Sequence, residues 1–584
     1  MGLPRFFVGC GDLGCGWFVY ARTTGNQYIE AEQLAVDLLR RKNLNDTAGS
    51  FVAGGKFRAV RQWTAVSALV LTAAMAFGQE TRPPRRPGEP AAESTAAAEP
   101  DAKKDGALPI PAETKVETKH DWTAGSRPVH YTATAGTLQI KDDEEKVIGV
   151  MFYVAYTEDG VAPGSRPVTF LYNGGPGSAS LWLHMGSVGP VRVVTESPKA
   201  TGPAPFGVVP NQYSLLDKTD LVFVDAPMTG FSRAAGKGTA KDFAGVDQDV
   251  KAFEKFITRY ITVNNRWNSP KFLFGESYGT PRSAALVAAL NNDGIQFNGV
   301  VLLSSILNYA VRDPGYDTDA KTYLPSYAAI AWYYNKVPHT GTMKEFVEKA
   351  REFSRGPYAA ALEQGDRLPA AEFDAIAQQV SAFTGLSVAY VKDAKLRVSP
   401  TRFRKELLRG DEQILGRYDA RFEAFDVDAA GENPGFDPSD TGISGVFVGA
   451  FHNYLQNELK YTDSETYNLS GPGINENWDW KHRASGGGGF GRGQQLQPDT
   501  VIDLADAMRK NPKLKVFSAN GWFDLATPFF GTEHDIAQMM LPPAIGANVS
   551  FGYYPAGHMV YLNVDALKEM HADLEGWYPT AEGK

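Results

Sequence analysis

Residues 271–280 read KFLFGESYGT, a short apolar run followed by Gly275-Glu276-Ser277-Tyr278-Gly279. The run has the composition of a strand, and residues 282–290 are compatible with a helix, so G-x-S-x-G stands at a strand-to-helix turn. A serine at such a turn projects from the end of the sheet. Glycines two residues to either side are needed because side chains there would collide. The pentapeptide alone occurs by chance in chains of this length; the strand before it and the helix after it give it weight. Ser277 is therefore the candidate nucleophile.

Similar runs recur on both sides, at 167–172 (PVTFLY), 221–225 (LVFVD), 300–303 (VVLL), 514–518 (LKVFS) and 549–554 (VSFGYY). Being apolar at consecutive positions, they predict strands covered on both faces, each ending in turn or polar residues. Helical patterns such as 247–260 intervene, and 146–156 (KVIGVMFYVAY) predicts an antiparallel strand at the sheet's edge. The expected class is α/β, with a mostly parallel central sheet and function at the carboxyl ends of its strands. Between 300 and 514 the pattern turns helical. Thr342 and Glu345 form a capping box for a helix through Phe353; Phe373, Ile376, Ala377, Val380 and Phe383 keep helical spacing; Ser399-Pro400 opens a helix that Gly410 closes. This predicts an inserted, mainly helical cap at 310–445, dividing the main domain into 120–309 and 446–584.

A nucleophilic serine needs a base and an orienting carboxylate, and in α/β-hydrolases they follow in the chain order Ser, Asp or Glu, His. Of nine histidines, His558 in Pro555-Ala-Gly-His-Met559 lies just past the last predicted strand. Asp524, at the end of NGWFD (520–524), lies just past the strand before it. A lone histidine is more often a surface or core residue; order, strand-end placement and the preceding glycine favour His558 as base and Asp524 as its partner. His534 and His452 are the runners-up, and neither follows a predicted sheet strand. Asn173-Gly-Gly-Pro-Gly-Ser178 follows PVTFLY. Such a turn lets backbone N–H groups approach a developing oxyanion, with the Tyr278 amide as second donor. An ordinary Pro-Gly turn is the alternative.

FLYNGGPGSAS (170–180), NQYSLLDKTDLVFVDAPMTGFS (211–232), FGESYGT (274–280), NGWFDLATP (520–528) and AGHMV (556–560) now stand in one order. In these motifs the sequence resembles the serine carboxypeptidase family, α/β-hydrolases that remove C-terminal amino acids, over about 145–305 and 445–575. The resemblance implies an α/β-hydrolase fold, with Ser277 as nucleophile, His558 as base, Asp524 as orienter, and Gly175 and Tyr278 as oxyanion donors. It also implies that Asn173, Gly174 and Glu276 hold the substrate's terminal carboxylate. A peptide or protein C-terminus is the partner implied, and no metal or organic cofactor is needed.

The sequence departs from the family in four places. The family usually has a second Glu in the helix after NGGPG, paired with the Glu beside the serine; aligning Gly189-Pro190 with the family's Gly-Pro puts Gly186 there. Asp225 to Ser232 is one residue shorter than the usual Asp-Gln-Pro-x-Gly-x-Gly-Phe-Ser, Gly279 is followed by Thr280-Pro281, and the family's disulfides are absent. The triad is untouched. Exopeptidase specificity and an acidic pH optimum are what the changes bear on, since Glu276 without a neighbouring carboxyl should lose its proton at a lower pH than a carboxyl pair would allow.

Composition narrows the remaining choices. The 584 residues are 43% hydrophobic, 12% aromatic and 21% charged, as in soluble globular proteins, which excludes collagen-like, coiled-coil and wholly disordered classes. With 58 Lys and Arg against 67 Asp and Glu, the net charge of −9 argues against a nucleic-acid partner. Both cysteines, Cys10 and Cys15, precede the folded part, excluding there a disulfide framework, a Cys-ligated zinc and a cysteine nucleophile. Basic Lys56-Phe-Arg-Ala-Val-Arg61 and the uncharged run 63–77 predict a signal peptide at 56–78, cleaved near Gln79. About 15 apolar residues fall short of the ~20 that span a bilayer, so no stable membrane span is expected. Residues 1–55 read as an over-extended translation start with Val52 as the candidate true start, a folded appendage being the alternative. Residues 79–119, rich in Pro, Ala and Glu, predict a disordered tether. The run GGGGFGRG (486–493) follows no strand and lacks the Lys-Ser/Thr of a phosphate loop, so it reads as a flexible loop. Export without disulfides fits a bacterial periplasmic or secreted protein. The expectation is an exported serine carboxypeptidase. An esterase or acyltransferase on the same triad is the first alternative, and a catalytically inactive binding protein the second.

Overall fold

A computed structural model describes residues 107–312, 315–485 and 494–583. The expected translation start and signal peptide at 1–78, the tether as far as 106, and the glycine run 486–493 lie outside the described residues.

The chain enters through two long antiparallel strands, β1 (Lys115–Trp122) and β2 (Val129–Lys141), followed by β3 (Val147–Glu158). Then come β4 (Val168–Tyr172), the short helix α1 (Leu181–Gly186), β5 (Asp220–Val224), α2 (Val246–Val263), β6 (Lys271–Glu276), α3 (Gly279–Asn292) and β7 (Gly299–Leu303). A long helical insertion follows, containing α4 (Thr318–Tyr333), α5 (Met343–Phe353), α6 (Ala370–Thr384) and α7 (Pro400–Glu406). The chain rejoins the main core at α8 (Ser444–Asn457) and closes with α9 (Val501–Lys510), β8 (Lys515–Gly521), β9 (Val549–Tyr554) and α10 (Val564–Glu582).

The strands form one sheet in the order β1-β2-β3-β5-β4-β6-β7-β8-β9, with Arg233–Ala234 as a short extra strand on β3. From β5 to β9 every pairing is parallel; β1, β2 and β3 join antiparallel at one edge. Two cores cover the two faces. Phe272, Phe274, Val301, Leu303 and Phe517 pack with α8 and α10 on one side, while Leu273, Val300, Leu302 and Val516 pack with α2, α3 and α9 on the other. Alternate residues of each central strand thus feed opposite cores, which is why these strands read as unbroken apolar runs. This is the α/β-hydrolase architecture, and the insertion is mainly helical.

The insertion folds around its own core of Leu324, Val347, Val380, Val391 and Phe403, which joins the main domain at Trp522, Phe523 and Phe529. The capping box of α5 forms: Thr342 Oγ1 accepts from the Glu345 amide at 3.2 Å, and Glu345 Oε2 accepts from the Thr342 amide at 2.7 Å. Helix α7 ends at Glu406, about a turn before Gly410.

The disordered tether expected to run to Lys119 stops earlier. The Leu108 amide donates to Gly236 at 2.6 Å, and β1 is a full strand from Lys115. Its sequence KVETKHDW alternates exposed and half-buried positions with almost no large apolar side chain. Pairing with β2, rather than burial, makes it a strand, so hydropathy gave no signal. Among the described residues no helix is long and apolar enough to cross a membrane.

Candidate active site

Ser277 follows the last residue of β6 with φ +59°, a left-handed conformation that costs a non-glycine residue on the order of 1–3 kcal/mol. Its amide donates to Leu303 at 3.0 Å, and its carbonyl accepts from Thr280 at 2.8 Å, opening α3. The tightness of the turn explains Gly275: a Cβ there would lie 2.1 Å from the Gly279 carbonyl oxygen. Behind the elbow, Arg282 is buried, pairs with Asp249 of α2 at 2.6 Å and donates to the Asn173 carbonyl at 2.8 Å. One guanidinium thus ties the serine's helix to the loop after β4.

That loop runs against the elbow. A Cβ on Gly174 would meet the Tyr278 amide nitrogen at 2.3 Å, so only glycine lets the two backbones approach this closely. Gly175 follows with φ +108°. The Gly174 backbone and the Tyr278 amide therefore lie side by side, and Asn173, Gly174, Gly175, Glu276, Ser277 and His558 line a cleft of about 230 Å³.

Asp524, past the end of β8, holds His558, past the end of β9: His558 Nδ1 lies 2.8 Å from Asp524 Oδ2. A carboxylate only accepts, so Nδ1 carries the hydrogen and Nε2 is left as the acceptor. Asp524 Oδ1 accepts from the Ala526 and Thr527 amides at 2.7 and 2.9 Å. The Thr527 hydroxyl is within reach of Asp524 Oδ2 at 2.8 Å and His558 Nδ1 at 3.0 Å, bracing both groups. His534 sits on another helix beside Asp535, and His452 packs on Tyr467; neither lines the serine's cleft.

A segment of the insertion is threaded between the Asp524 and His558 loops. The His558 amide donates to the Tyr418 carbonyl at 2.5 Å, the Leu525 amide to Arg417 at 3.1 Å, and the Ala420 amide to Phe523 at 3.0 Å. Asp419 Oδ2 accepts from the Gly557 amide at 3.2 Å and pairs with Arg421 at 2.6 Å, while Arg421 donates to the Pro555 carbonyl at 2.7 Å. The Tyr418 ring stands 5.3 Å from that of His558. Sequence reasoning missed this strap, because the cap matched no known pattern and half of the strap's hydrogen bonds are made by its backbone.

Glu276, the last residue of β6, is 3% exposed and lines the same cleft. Burial pushes its carboxyl up to about 7, against the pull of the nearby His558 and of hydrogen bonds from Tyr561 and Asn173. Desolvation thus raises this carboxyl although Gly186 supplies no second one. Tyr561, whose hydroxyl donates to Glu276 Oε2 at 2.8 Å, was also missed; it lies one residue past AGHMV. Trp182, Tyr418, Ile443 and Met559 add apolar surface to the cleft.

A serine on a strand-to-helix elbow and an Asp–His pair at the ends of the last two strands of a mostly parallel sheet define the α/β-hydrolase class. Within it, the chain is similar to the serine carboxypeptidases: residues 125–393 match the model of the serine carboxypeptidase family. A serine carboxypeptidase-like 45 of Arabidopsis thaliana is 29% identical over 196 residues, 32% of this chain and 39% of that protein. The pheromone-processing carboxypeptidase KEX1 of Cryptococcus gattii is 30% identical over 159 residues, 26% of this chain and 22% of that protein. The chain thus spans well under half the length of these curated relatives. Among solved structures, a prohormone-processing carboxypeptidase from Saccharomyces cerevisiae aligns with 76% of this chain and 91% of its own, at 16% identity and a TM-score of 0.47.

Proposed function

We propose that the protein is an exported serine carboxypeptidase releasing single amino acids from free peptide C-termini. The observation that carries this reading is Glu276. An esterase has no need of a buried carboxyl beside its nucleophile, held neutral up to about pH 7 in the same cleft as Ser277 and His558. A neutral carboxyl donates a hydrogen bond to a carboxylate, and an ionised one repels it. With Asn173 and Gly174, Glu276 would hold the substrate's terminal carboxylate and so place the last peptide bond over Ser277.

In this reading His558 Nε2 takes the Ser277 proton as Oγ attacks the last peptide carbonyl. The amides of Gly175 and Tyr278 stabilise the tetrahedral oxyanion. The C–N bond breaks as His558 returns the proton to the leaving amino group, leaving an acyl-serine. Water, deprotonated by His558, then hydrolyses the ester and restores the serine. Asp524 keeps the imidazole in the required tautomer throughout. A peptide with a free C-terminus, assayed beside its amide and a simple ester, separates the carboxypeptidase from an esterase or acyltransferase. Fluorophosphonate labelling mapped to Ser277, and lost in His558→Ala, separates either from an inactive binding protein.

Export is proposed from the basic-then-apolar run 56–78, with a periplasmic or secreted mature chain beginning near Gln79. N-terminal sequencing of the exported protein tests it; retention of residues 1–55 would contradict it.

A further inference from the structure

Gly186 ends α1, where the family places its second glutamate, and the structure shows what occupies that space. A Cβ on Gly186 would lie 2.3 and 2.5 Å from Cδ2 and Cε2 of Tyr561 and 3.2 Å from Phe447. The Tyr561 ring is therefore seated on the bare glycine. Its hydroxyl donates to Glu276 Oε2 at 2.8 Å, and Asn173 and Glu276 line the same cleft. Tyr561 is 3% exposed, and burial drives its phenol well above its ordinary value, so it remains a donor across the working pH range.

We propose that Tyr561 is the positioning residue of the carboxylate-reading site. Seated over Gly186, it fixes Glu276 Oε2 as an acceptor, so that the Glu276 proton resides on Oε1 and is offered to the substrate's terminal carboxylate. This inference rests on the reading of Glu276 given above. It differs in kind from a carboxyl pair. Two carboxyls share one proton and raise each other's pKa, whereas a phenol stabilises the ionised form of its partner and lowers it. The groups facing Glu276 are the titratable His558, Asp524, Tyr561 and Tyr418 and the neutral amide of Asn173. Of these, Tyr561 hydrogen-bonds the carboxyl. The Tyr561 hydroxyl would thus set the upper edge of the pH range for peptides while leaving the triad alone.

Tyr561→Phe keeps the ring on Gly186 and removes only the hydroxyl. With a free-acid peptide, the alkaline fall in kcat/KM should move to higher pH by about one unit, because the ionised form of Glu276 loses a donor. KM below that limb should rise about tenfold as Glu276 loses its orientation. The profile for an ester with no free carboxylate should keep its wild-type shape. Gly186→Ala, which displaces the ring from its seat, should reproduce the shift, so the inference stays testable if one variant folds poorly. An unmoved limb and an unchanged KM in a folded Tyr561→Phe would overturn it, reducing Tyr561 to a space filler. In a Glu276→Gln background, Tyr561→Phe should move no limb; a shift persisting there would also overturn it. If Glu276→Gln alone leaves the free-peptide profile as in wild type, the reading of Glu276 fails instead, whatever Tyr561 does.

Discussion

The His558 amide donates to the Tyr418 carbonyl at 2.5 Å, so the candidate base is held by a residue of the inserted helical region. The insertion does more than cover the cleft: residues 417–421 lie between the loops carrying Asp524 and His558, pinned by the Asp419–Arg421 pair.

Asp419→Asn should therefore lower kcat by on the order of 10²-fold with little change in KM, since small displacements of a catalytic group cost about that much. Asp419→Ala leaves Arg421 buried without its counter-charge and should destabilise the fold by about 3–5 kcal/mol. Steady-state kinetics at a temperature where the variant is folded, beside thermal unfolding, check both. A full kcat in folded Asp419→Asn would mean that the strap does not position the base.

Ser277→Ala and His558→Ala should each cost a factor on the order of 10⁴ or more, and Asp524→Asn about as much, because triad members act as a unit. The double variant Ser277→Ala/His558→Ala should be scarcely worse than either single one. More than a tenth of wild-type activity in His558→Ala, with loss in His534→Ala, would move the base to the other histidine.

With Glu276 titrating at about 7, it is protonated below that pH and ionised above it. Hydrolysis of free-acid peptides should fall as pH rises through about 7, chiefly through KM, whereas blocked substrates make no such demand. Glu276→Gln always carries a donor, so it should flatten the alkaline fall for free peptides. Parallel pH profiles of wild type and variant on a free peptide would contradict this.

His482 is wedged between Asp247 at 2.6 Å and Asp503 at 2.9 Å, tying the segment before the glycine run to α2 and α9. Burial alone would lower its pKa, but the two carboxylates outweigh burial and raise it from 6.5 to about 9. A raised folded-state pKa gives stability that is complete below pH 6.5 and lost as pH rises through 9, here on the order of 3 kcal/mol. Denaturant unfolding of wild type and His482→Gln should show a stability gap at pH 6 that shrinks by pH 9.5. A gap independent of pH would show that the imidazolium contributes nothing.

The parallel strands were legible because burial on both faces leaves an unbroken apolar signature, and the elbow because Gly275 and Ser277 answer to a backbone geometry few sequences satisfy. Asp524 and His558 could be picked out because strand ends are where this topology converges. β1 was not legible: it is held by pairing, and its side chains are exposed or only half-buried except for Trp122. The strap was not legible either, since half of its hydrogen bonds come from backbone atoms, which carry no sequence signal. Gly186 could be read as a missing carboxyl, but the burial that raises Glu276 could not. Desolvation of a side chain depends on everything packed around it, here including Tyr561, and no local stretch of sequence displays that.

Digestion of a mixture of peptides bearing free and amidated C-termini, followed by mass spectrometry below pH 7, tests the central claim most directly. The account predicts stepwise loss of single C-terminal residues from the free acids, intact amides, and no change with Ser277→Ala. Equal cleavage of acids and amides, cuts at internal bonds, or free acids left intact would contradict it.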